Sequence, residues 1–267
     1  MNGRKTKMDP ITDKYKEALN SLLENTVQTS EFLEETYPDD EELLTHTEFD
    51  KLAGGIPKNA LTIIAGATGN GKSLSSLMVA YSLACNYTIL YISCENKRKT
   101  DHARLKDLTK LFGIQDTFFY VNIKTVKDKM NAIQGALLST GFDIIVLDGV
   151  QFIMKSGETG GQMQAIGETL VKGILEAINT NDNKPTVLLS WQLRREATKK
   201  KLDELTTDDI ALSISIGQAC EQAYVVSKNK SDGSIWMGSI KNRDVFEGQK
   251  SSITLVKNNE MVLYPID

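Results

Sequence analysis

Apolar and polar positions alternate with two different periods along most of the chain. Short runs rich in β-branched and aromatic residues are each followed by a longer stretch in which apolar residues recur every three or four positions. Regular alternation of this kind predicts an α/β fold, in which helices cover both faces of a mostly parallel twisted sheet. Strands are predicted at 61–65, 87–93, 118–121, 144–147 and 186–190, and helices at 72–85, 100–112, 125–139 and 162–179.

The C-terminal part of the chain departs from this alternation. From Ala223 onward the sequence predicts several strands with no helix between them, at 223–228, 234–240, 251–257 and 260–266. A run of strands without crossover helices is typical of antiparallel strands. We expect these strands to extend one edge of the parallel sheet.

The N-terminal part also differs from the middle. A helix is predicted at 14–25, where Tyr15, Leu19, Leu22 and Leu23 share one face. The following segment is acidic and is interrupted by a proline. We therefore predict an acidic arm at 1–45 and a globular domain at 46–267.

Composition narrows the class of protein. Apolar residues make up 40 % of the 267 residues, which is enough for one sizeable core, and no apolar run reaches the length of a membrane span. The N-terminus has no apolar secretion signal, so we expect a cytoplasmic protein without a membrane partner. Three cysteines without paired spacing and two histidines indicate neither a disulfide framework nor a zinc site.

The net charge of −4 conceals an uneven distribution. Residues 17–50 contain eleven acidic side chains and no lysine or arginine, so the rest of the chain carries a net positive charge. Charge alone therefore neither requires nor excludes a nucleic-acid partner.

The segment after the first core strand matches the phosphate-binding pattern G-x-x-x-x-G-K-[ST]. It consists of Gly66, Ala67, Thr68, Gly69, Asn70, Gly71, Lys72 and Ser73. Glycines let the backbone N–H groups converge on phosphate oxygens, and the helix N-terminus favours an anion. Lys72 is expected to bind the β- and γ-phosphates of ATP, and the Ser73 hydroxyl to bind Mg²⁺. A chance match in a glycine-rich turn is the alternative, which the strand–loop–helix context disfavours.

Three polar residues at the ends of predicted strands complete a candidate ATP site. Asp148 ends a buried strand and is expected to support Mg²⁺. Glu95 is the candidate that activates the attacking water, and Gln192 is the candidate that senses the γ-phosphate. The alternatives are a strand-capping aspartate, a helix N-cap acid and an ordinary strand-end amide.

These motifs, in this order, resemble those of the DnaB-like hexameric replicative helicases and their phage relatives. The resemblance spans about residues 46–265. The matching segments are 47–73, Ser93-Cys94-Glu95-Asn96, Leu147-Asp148-Gly149-Val150-Gln151, Ser190-Trp191-Gln192-Leu193-Arg194-Arg195, 213–226 and Lys241-Asn242-Arg243. Gly149 stands where that family usually has a bulky aromatic residue.

The resemblance implies a RecA-like ATPase domain that assembles as a homohexamer and moves 5′ to 3′ on single-stranded DNA, with ATP and Mg²⁺ as cofactors. It gives Glu95 the catalytic role, and it implies that Lys241 and Arg243 reach the ATP of the neighbouring subunit. It also implies that helix 14–25 packs on the adjacent subunit; folding onto its own domain is the alternative. A primase or a helicase loader is a candidate partner in this family.

Two loops are candidates for contact with the DNA backbone. One spans 152–164 and contains Lys155; the other spans 193–213. The second loop carries a basic cluster made of Arg194, Arg195, Lys199, Lys200 and Lys201. Such residues would bind phosphates without reading sequence, whereas the alternative is a solvated charged loop.

Two further functions are compatible with the same motifs. One is a RecA-like recombinase or strand-annealing ATPase that forms filaments. The other is a nucleotide-switched accessory or loader protein that binds ATP without turnover. Unwinding, annealing and binding without hydrolysis distinguish the three.

Overall fold

The computed structural model describes residues 42–123, 129–153, 160–180, 184–210, 214–242, 252–257 and 260–262. Four of the sequence predictions lie outside the described residues. They are the acidic arm up to residue 41 with its helix, Lys155, Arg243 and the end of the last predicted strand.

The described part of the chain contains eleven strands and six α-helices. The strands are β1 (Glu42–Leu43), β2 (Ile56–Pro57), β3 (Leu61–Gly66), β4 (Ile89–Ser93), β5 (Phe118–Asn122), β6 (Ile144–Asp148), β7 (Thr186–Gln192), β8 (Gln222–Lys228), β9 (Ile235–Asn242), β10 (Ser252–Lys257) and β11 (Glu260–Met261). The helices are α1 (Glu48–Ala53), α2 (Lys72–Leu83), α3 (Arg98–Phe112), α4 (Lys129–Leu137), α5 (Gly160–Thr180) and α6 (Ile214–Ala219).

Nine of these strands form one sheet in the order β11-β10-β9-β8-β3-β7-β6-β4-β5. The strands from β8 to β5 in this order are parallel, and β8 to β11 pair antiparallel with one another. The predicted parallel sheet with an antiparallel C-terminal edge is confirmed. Strands β1 and β2 form a separate antiparallel pair.

Apolar side chains fill the space on both faces of the sheet. Along β3, Ile63 packs into one core cluster and Ile64 into the other, because successive side chains of a strand point to opposite faces. Helix α5 packs on the first face through residues such as Ile174, and helix α2 packs on the second through residues such as Leu77. This two-sided burial explains why the core strands are continuous apolar runs in the sequence.

The parallel strands bring several polar residues to one edge of the sheet. Ser93 is the register partner of Asp148, and Gly66 is the register partner of Gln192. Because β3, β7, β6 and β4 are neighbours and run in the same direction, their carboxyl ends meet at this edge. Ligands of open α/β sheets bind in that position.

None of the helices that the structure describes is long and apolar enough to cross a membrane.

Candidate active site

The loop between β3 and α2 is shaped as an anion cradle. Gly69 and Gly71 adopt φ angles of +81° and +94°, which side-chain-bearing residues rarely adopt. Helix α2 starts at Lys72, and its N-cap Gly71 provides no side-chain cap to the N–H groups of the first turn. These donors, together with the helix dipole, are suited to phosphate oxygens.

The last strands of the sheet pack directly against this loop. A β-carbon placed on Gly66 would lie 2.7 Å from the carbonyl oxygen of Val226, and one on Gly71 would lie 2.7 Å from Cδ1 of Ile235. Because the first of these neighbours is a backbone atom, position 66 leaves room for glycine alone. The conformation of the phosphate loop therefore depends on β8 and β9 as well as on its own sequence.

Lys72 is buried and points into the loop. Its Nζ donates a 3.0 Å hydrogen bond to the carbonyl oxygen of Ala67. Burial lowers the pKa of Lys72, and the negative charges of Glu95 and Asp148 oppose that shift. The ammonium group is thus held at the mouth of the loop, where it can act as a point charge for a phosphate.

Asp148 lies fully buried at the end of β6. Its Oδ1 has no hydrogen-bond partner among the described residues, and its Oδ2 accepts a 3.4 Å hydrogen bond from the side-chain amide of Asn96. Burial raises the pKa of Asp148, whereas the nearby hydroxyl groups of Ser190, Ser73 and Tyr91 act to lower it. A buried, incompletely satisfied carboxylate beside Ser73 is a suitable place for a hard cation.

The donor set fits Mg²⁺ better than a transition metal. Within the part of the chain that the structure describes, no group of three or more histidine, cysteine, aspartate or glutamate side chains could hold a metal ion. Mg²⁺ keeps several waters and is usually bound by one or two protein oxygens together with substrate phosphates. Ser73 and Asp148 supply that number of protein oxygens.

Glu95 follows β4 at the same edge of the sheet and is half-buried. Burial raises its pKa, the charge of Asp148 acts in the same direction, and Lys72 and Arg104 oppose the shift. A raised pKa makes a carboxylate a stronger base, which suits the proton transfer expected of this residue.

Gln192 is in direct contact with the phosphate loop. Its Nε2 donates a 3.0 Å hydrogen bond to the hydroxyl of Thr68, and the next residue, Leu193, donates from its N–H to the carbonyl of Gly66 at 3.2 Å. Strand β7 is thereby joined to the loop through a side chain and through the backbone.

Sequence reasoning did not identify two groups that shape this site. The first is Asn96, which holds the carboxylate of Asp148 and in turn accepts a 2.9 Å hydrogen bond at its carbonyl oxygen from the amide of Asn122. Its position directly after Glu95 was the available signal.

The second group is a buried carboxylate in the first turn of α3. Asp101 accepts 2.9 Å hydrogen bonds from the hydroxyls of Ser93 and Tyr120 and pairs with Arg104 at 3.1 Å. These contacts anchor α3 to β4 and β5 on either side of the segment that carries Glu95. Only the spacing of Asp101 and Arg104 was visible in the sequence.

Lys241 lies at the end of β9, away from the phosphate loop of its own chain. Its Nζ donates to the carbonyl oxygens of Gly217 at 3.0 Å and Gln218 at 3.2 Å, and also to that of Cys220. Lysine near a helix C-terminus satisfies carbonyl groups that have no partner in the helix. In this structure Lys241 caps α6.

The basic loop after Gln192 is more ordered than an open charged loop. It contains the 3₁₀ turns Ala197–Lys199, Leu202–Glu204 and Thr207–Asp209, and Leu193 forms a bridge with Ile210. Lys200 pairs with Asp209 at 2.7 Å. All five predicted basic residues of the loop are exposed.

With this geometry in place, a family comparison decides the assignment. A model of the AAA domain family matches residues 29–183, more than half of the chain. The chain belongs to the AAA domain family. The matched region contains the phosphate loop, Glu95 and Asp148, whereas Gln192 and the basic loop lie beyond it.

This AAA domain protein is also similar to curated DNA repair proteins named RadA. It is 30% identical over 139 residues to RadA of Streptococcus pyogenes, and 28% identical over 142 residues to RadA of Streptococcus pneumoniae. Each match covers 51% of this chain but only 29% and 31% of the respective relative. The chain thus spans less than a third of the length of these relatives.

Two solved structures share the fold. The first is described as an ATPase domain, with a TM-score of 0.57 and 14% identity over 93% of this chain and 98% of that one. The second is a KaiC-like protein of Pyrococcus horikoshii, with a TM-score of 0.57 and 16% identity over 81% of this chain and 95% of that one. At these identities the likeness shows the RecA-like fold. Fold and family together identify a RecA-like P-loop ATPase of the DnaB/RadA type.

Proposed function

We propose that this AAA domain protein is an ATP-dependent DNA helicase that translocates on single-stranded DNA as a ring. The observation that carries the proposal is the contact between Gln192 and Thr68. It joins the phosphate loop to the strand from which the basic loop emerges. A change at the γ-phosphate can thereby be passed to side chains suited to the DNA backbone, which is the coupling that a translocating motor requires.

The residues of the chain divide the hydrolysis among them. The glycine-rich loop and Lys72 bind and neutralise the phosphates of ATP, and Gln192 contacts the loop at Thr68. Ser73 and Asp148 are the residues that would hold Mg²⁺, which supplies positive charge to the transferred phosphoryl group when bound. Glu95 orients the attacking water and accepts its proton. Asn96 and the anchor at Asp101 keep the carboxylates in register.

The assembly proposed is a homohexamer in the cytoplasm of a phage-infected host. Arg243, with Lys241, would reach the ATP of the neighbouring subunit, and a cation supplied in this way couples turnover to the subunit interface. Movement from 5′ to 3′ and a primase or loader partner follow from the resemblance to the DnaB-like helicases.

A second candidate is a recombinase or strand-annealing ATPase. The observation that favours it is the similarity to DNA repair proteins named RadA, which covers half of this chain. A nucleotide-switched accessory or loader protein is the third candidate, because the same site can bind ATP without turning it over.

The deciding experiment measures ATP hydrolysis with and without single-stranded DNA, using Lys72→Ala as the blank. The helicase proposal requires strong stimulation by DNA together with ATP-dependent unwinding of a forked duplex. Stimulation without unwinding, combined with pairing of complementary strands, would favour the recombinase or annealing function. ATP binding without stimulated turnover would favour the switch and would refute the catalytic role of Glu95.

A further inference from the structure

The residue after Asp148 approaches Glu95 very closely. Gly149 has a φ angle of +73°, and a β-carbon placed on it would lie 2.7 Å from Cβ of Glu95. The same β-carbon would lie 3.3 Å from Oε2 and 3.4 Å from the backbone nitrogen of Glu95. A separation of 2.7 Å is shorter than real carbon contacts, so a side chain at 149 requires Glu95 to move.

The close contact involves a part of Glu95 that cannot rotate away. Cβ is fixed by the backbone, unlike the carboxylate at the end of the side chain. The backbone itself is tied on one side of Glu95, because the N–H of Cys94 donates to the carbonyl of Asp148 at 2.9 Å. On the other side, the amide of Asn96 donates to the Asp148 carboxylate at 3.4 Å. Glu95 can retreat from position 149 only by breaking one of these links.

We propose that Gly149 is a positioning residue for Glu95, and that its missing side chain sets the place from which the Glu95 carboxylate reaches the attacking water. The inference rests on the proposed role of Glu95 in ATP hydrolysis. It adds that the turnover rate of this chain depends on a glycine that lies outside the phosphate loop.

The kinetic test uses Gly149→Ala in the full chain. A misplacement of about 1 Å in a reacting group lowers the rate by about 10²-fold. We therefore expect kcat to fall by about that factor, while KM for ATP stays within about twofold. In a Glu95→Gln background, adding Gly149→Ala should lower the residual rate no further, because residues that act through one another are not additive. A rise in KM at unchanged kcat, or an additive loss in the double variant, would overturn the proposal.

Gly113→Ala is the matched control for backbone strain. Gly113 has a φ angle of +75°, close to that of Gly149, but a β-carbon there would meet nothing within 4 Å. It ends helix α3, outside the site. Its replacement should lower the melting temperature and leave kcat unchanged. A kcat loss in Gly113→Ala equal to that in Gly149→Ala would assign the effect to strain and reject the positioning role.

A stability cycle without nucleotide separates this inference from the proposed function. Glu95→Gly removes the Cβ atom that a residue at 149 would contact. Gly149→Ala should therefore lower the melting temperature less in the Glu95→Gly background than in the wild-type chain. Equal losses in the two backgrounds would refute the steric contact. A clear coupling in a wild-type protein that does not hydrolyse ATP would confirm the contact and refute the hydrolytic function alone.

Discussion

The side-chain amide of Gln192 donates a 3.0 Å hydrogen bond to the hydroxyl of Thr68, and the two residues lie 124 positions apart in the chain. One is at the end of a core strand and the other is in the phosphate loop. The contact gives the site a physical link between nucleotide and the loop after β7. A site that only bound ATP would not need it.

Replacing Thr68 with valine should uncouple these two elements. Valine has nearly the same shape but cannot accept the hydrogen bond, and a net contribution of about 0.5–1.5 kcal/mol corresponds to a change of roughly 2- to 12-fold. We expect the stimulation of ATP hydrolysis by single-stranded DNA to fall by that factor. Thr68→Ser keeps the hydroxyl and should retain the stimulation. Equal stimulation in the valine and serine variants would contradict the proposed link.

The structure separates the lysines of the basic loop into two kinds. Lys200 pairs with Asp209, whereas no ion pair joins Lys199 or Lys201 to any residue that the structure describes. We expect Lys199→Ala/Lys201→Ala to weaken single-stranded DNA binding. The slope of log K against log salt should become shallower by about 0.7 for each lost phosphate contact. Fluorescence-anisotropy titrations at several salt concentrations measure this slope, with Lys200→Ala as the control that should change it less. An unchanged slope in the double variant would remove this loop from the DNA interface.

The contact between Lys200 and Asp209 predicts how acid affects stability. Burial acts to raise the pKa of Asp209, but hydrogen bonds from Lys200 and from the N–H of Thr206 outweigh it, and the pKa lies below its ordinary value. A carboxylate with a lowered folded-state pKa contributes stability above the unfolded pKa of about 3.9, and loses that contribution as the pH falls through the folded value.

Denaturant unfolding of the wild type and Asp209→Asn checks this expectation. The wild type should be more stable at pH 7, and the difference in the free energy of unfolding should shrink as the pH is lowered below about 4. Asp208→Asn changes an exposed neighbour and should show no such trend. A difference between wild type and Asp209→Asn that persists undiminished at about pH 3 would contradict the assigned pairing.

The sequence is sufficient to predict the main elements and the polar residues at strand ends. Strand β6 and helix α2 are predicted to within two residues at each end, because an apolar run and a helix opened by Gly71-Lys72 are local signals. Asp148, Glu95 and Gln192 are identifiable because motif order places them at strand ends. The contact of Asn96 with Asp148 could not be derived, since it depends on β4 lying next to β6 in the sheet.

Spatial contacts also change the interpretation of two predicted groups. The loop from 193 has the sequence of an open basic segment, but its 3₁₀ turns and the bridge between Leu193 and Ile210 bring Asp209 to Lys200. Gly149 has the sequence position of a missing aromatic residue, whereas Glu95 takes the place of its β-carbon. In both cases the deciding partner is distant in sequence, so no local pattern could indicate it.

Arg243 is predicted to act on the ATP of a neighbouring subunit. Arg243→Ala should keep ATP binding and lose about 10³-fold or more in turnover, the usual effect of removing an arginine supplied in trans. Nucleotide binding by a fluorescent ATP analogue and steady-state hydrolysis measure the two quantities separately. Full turnover in this variant would refute the role.

Lys241 has a structural role that can be measured without nucleotide. Its ammonium group donates to three carbonyl oxygens around the end of α6, and hydrogen bonds to a charged group contribute about 1.5–3 kcal/mol. Lys241→Met keeps the length of the side chain but removes the donors, so the free energy of unfolding should fall by about that amount. Lys228→Met, at an exposed lysine on the adjacent strand, is the control that should leave stability unchanged. Normal stability of Lys241→Met together with lost turnover would contradict the capping role, and would instead support an action of Lys241 across the subunit interface.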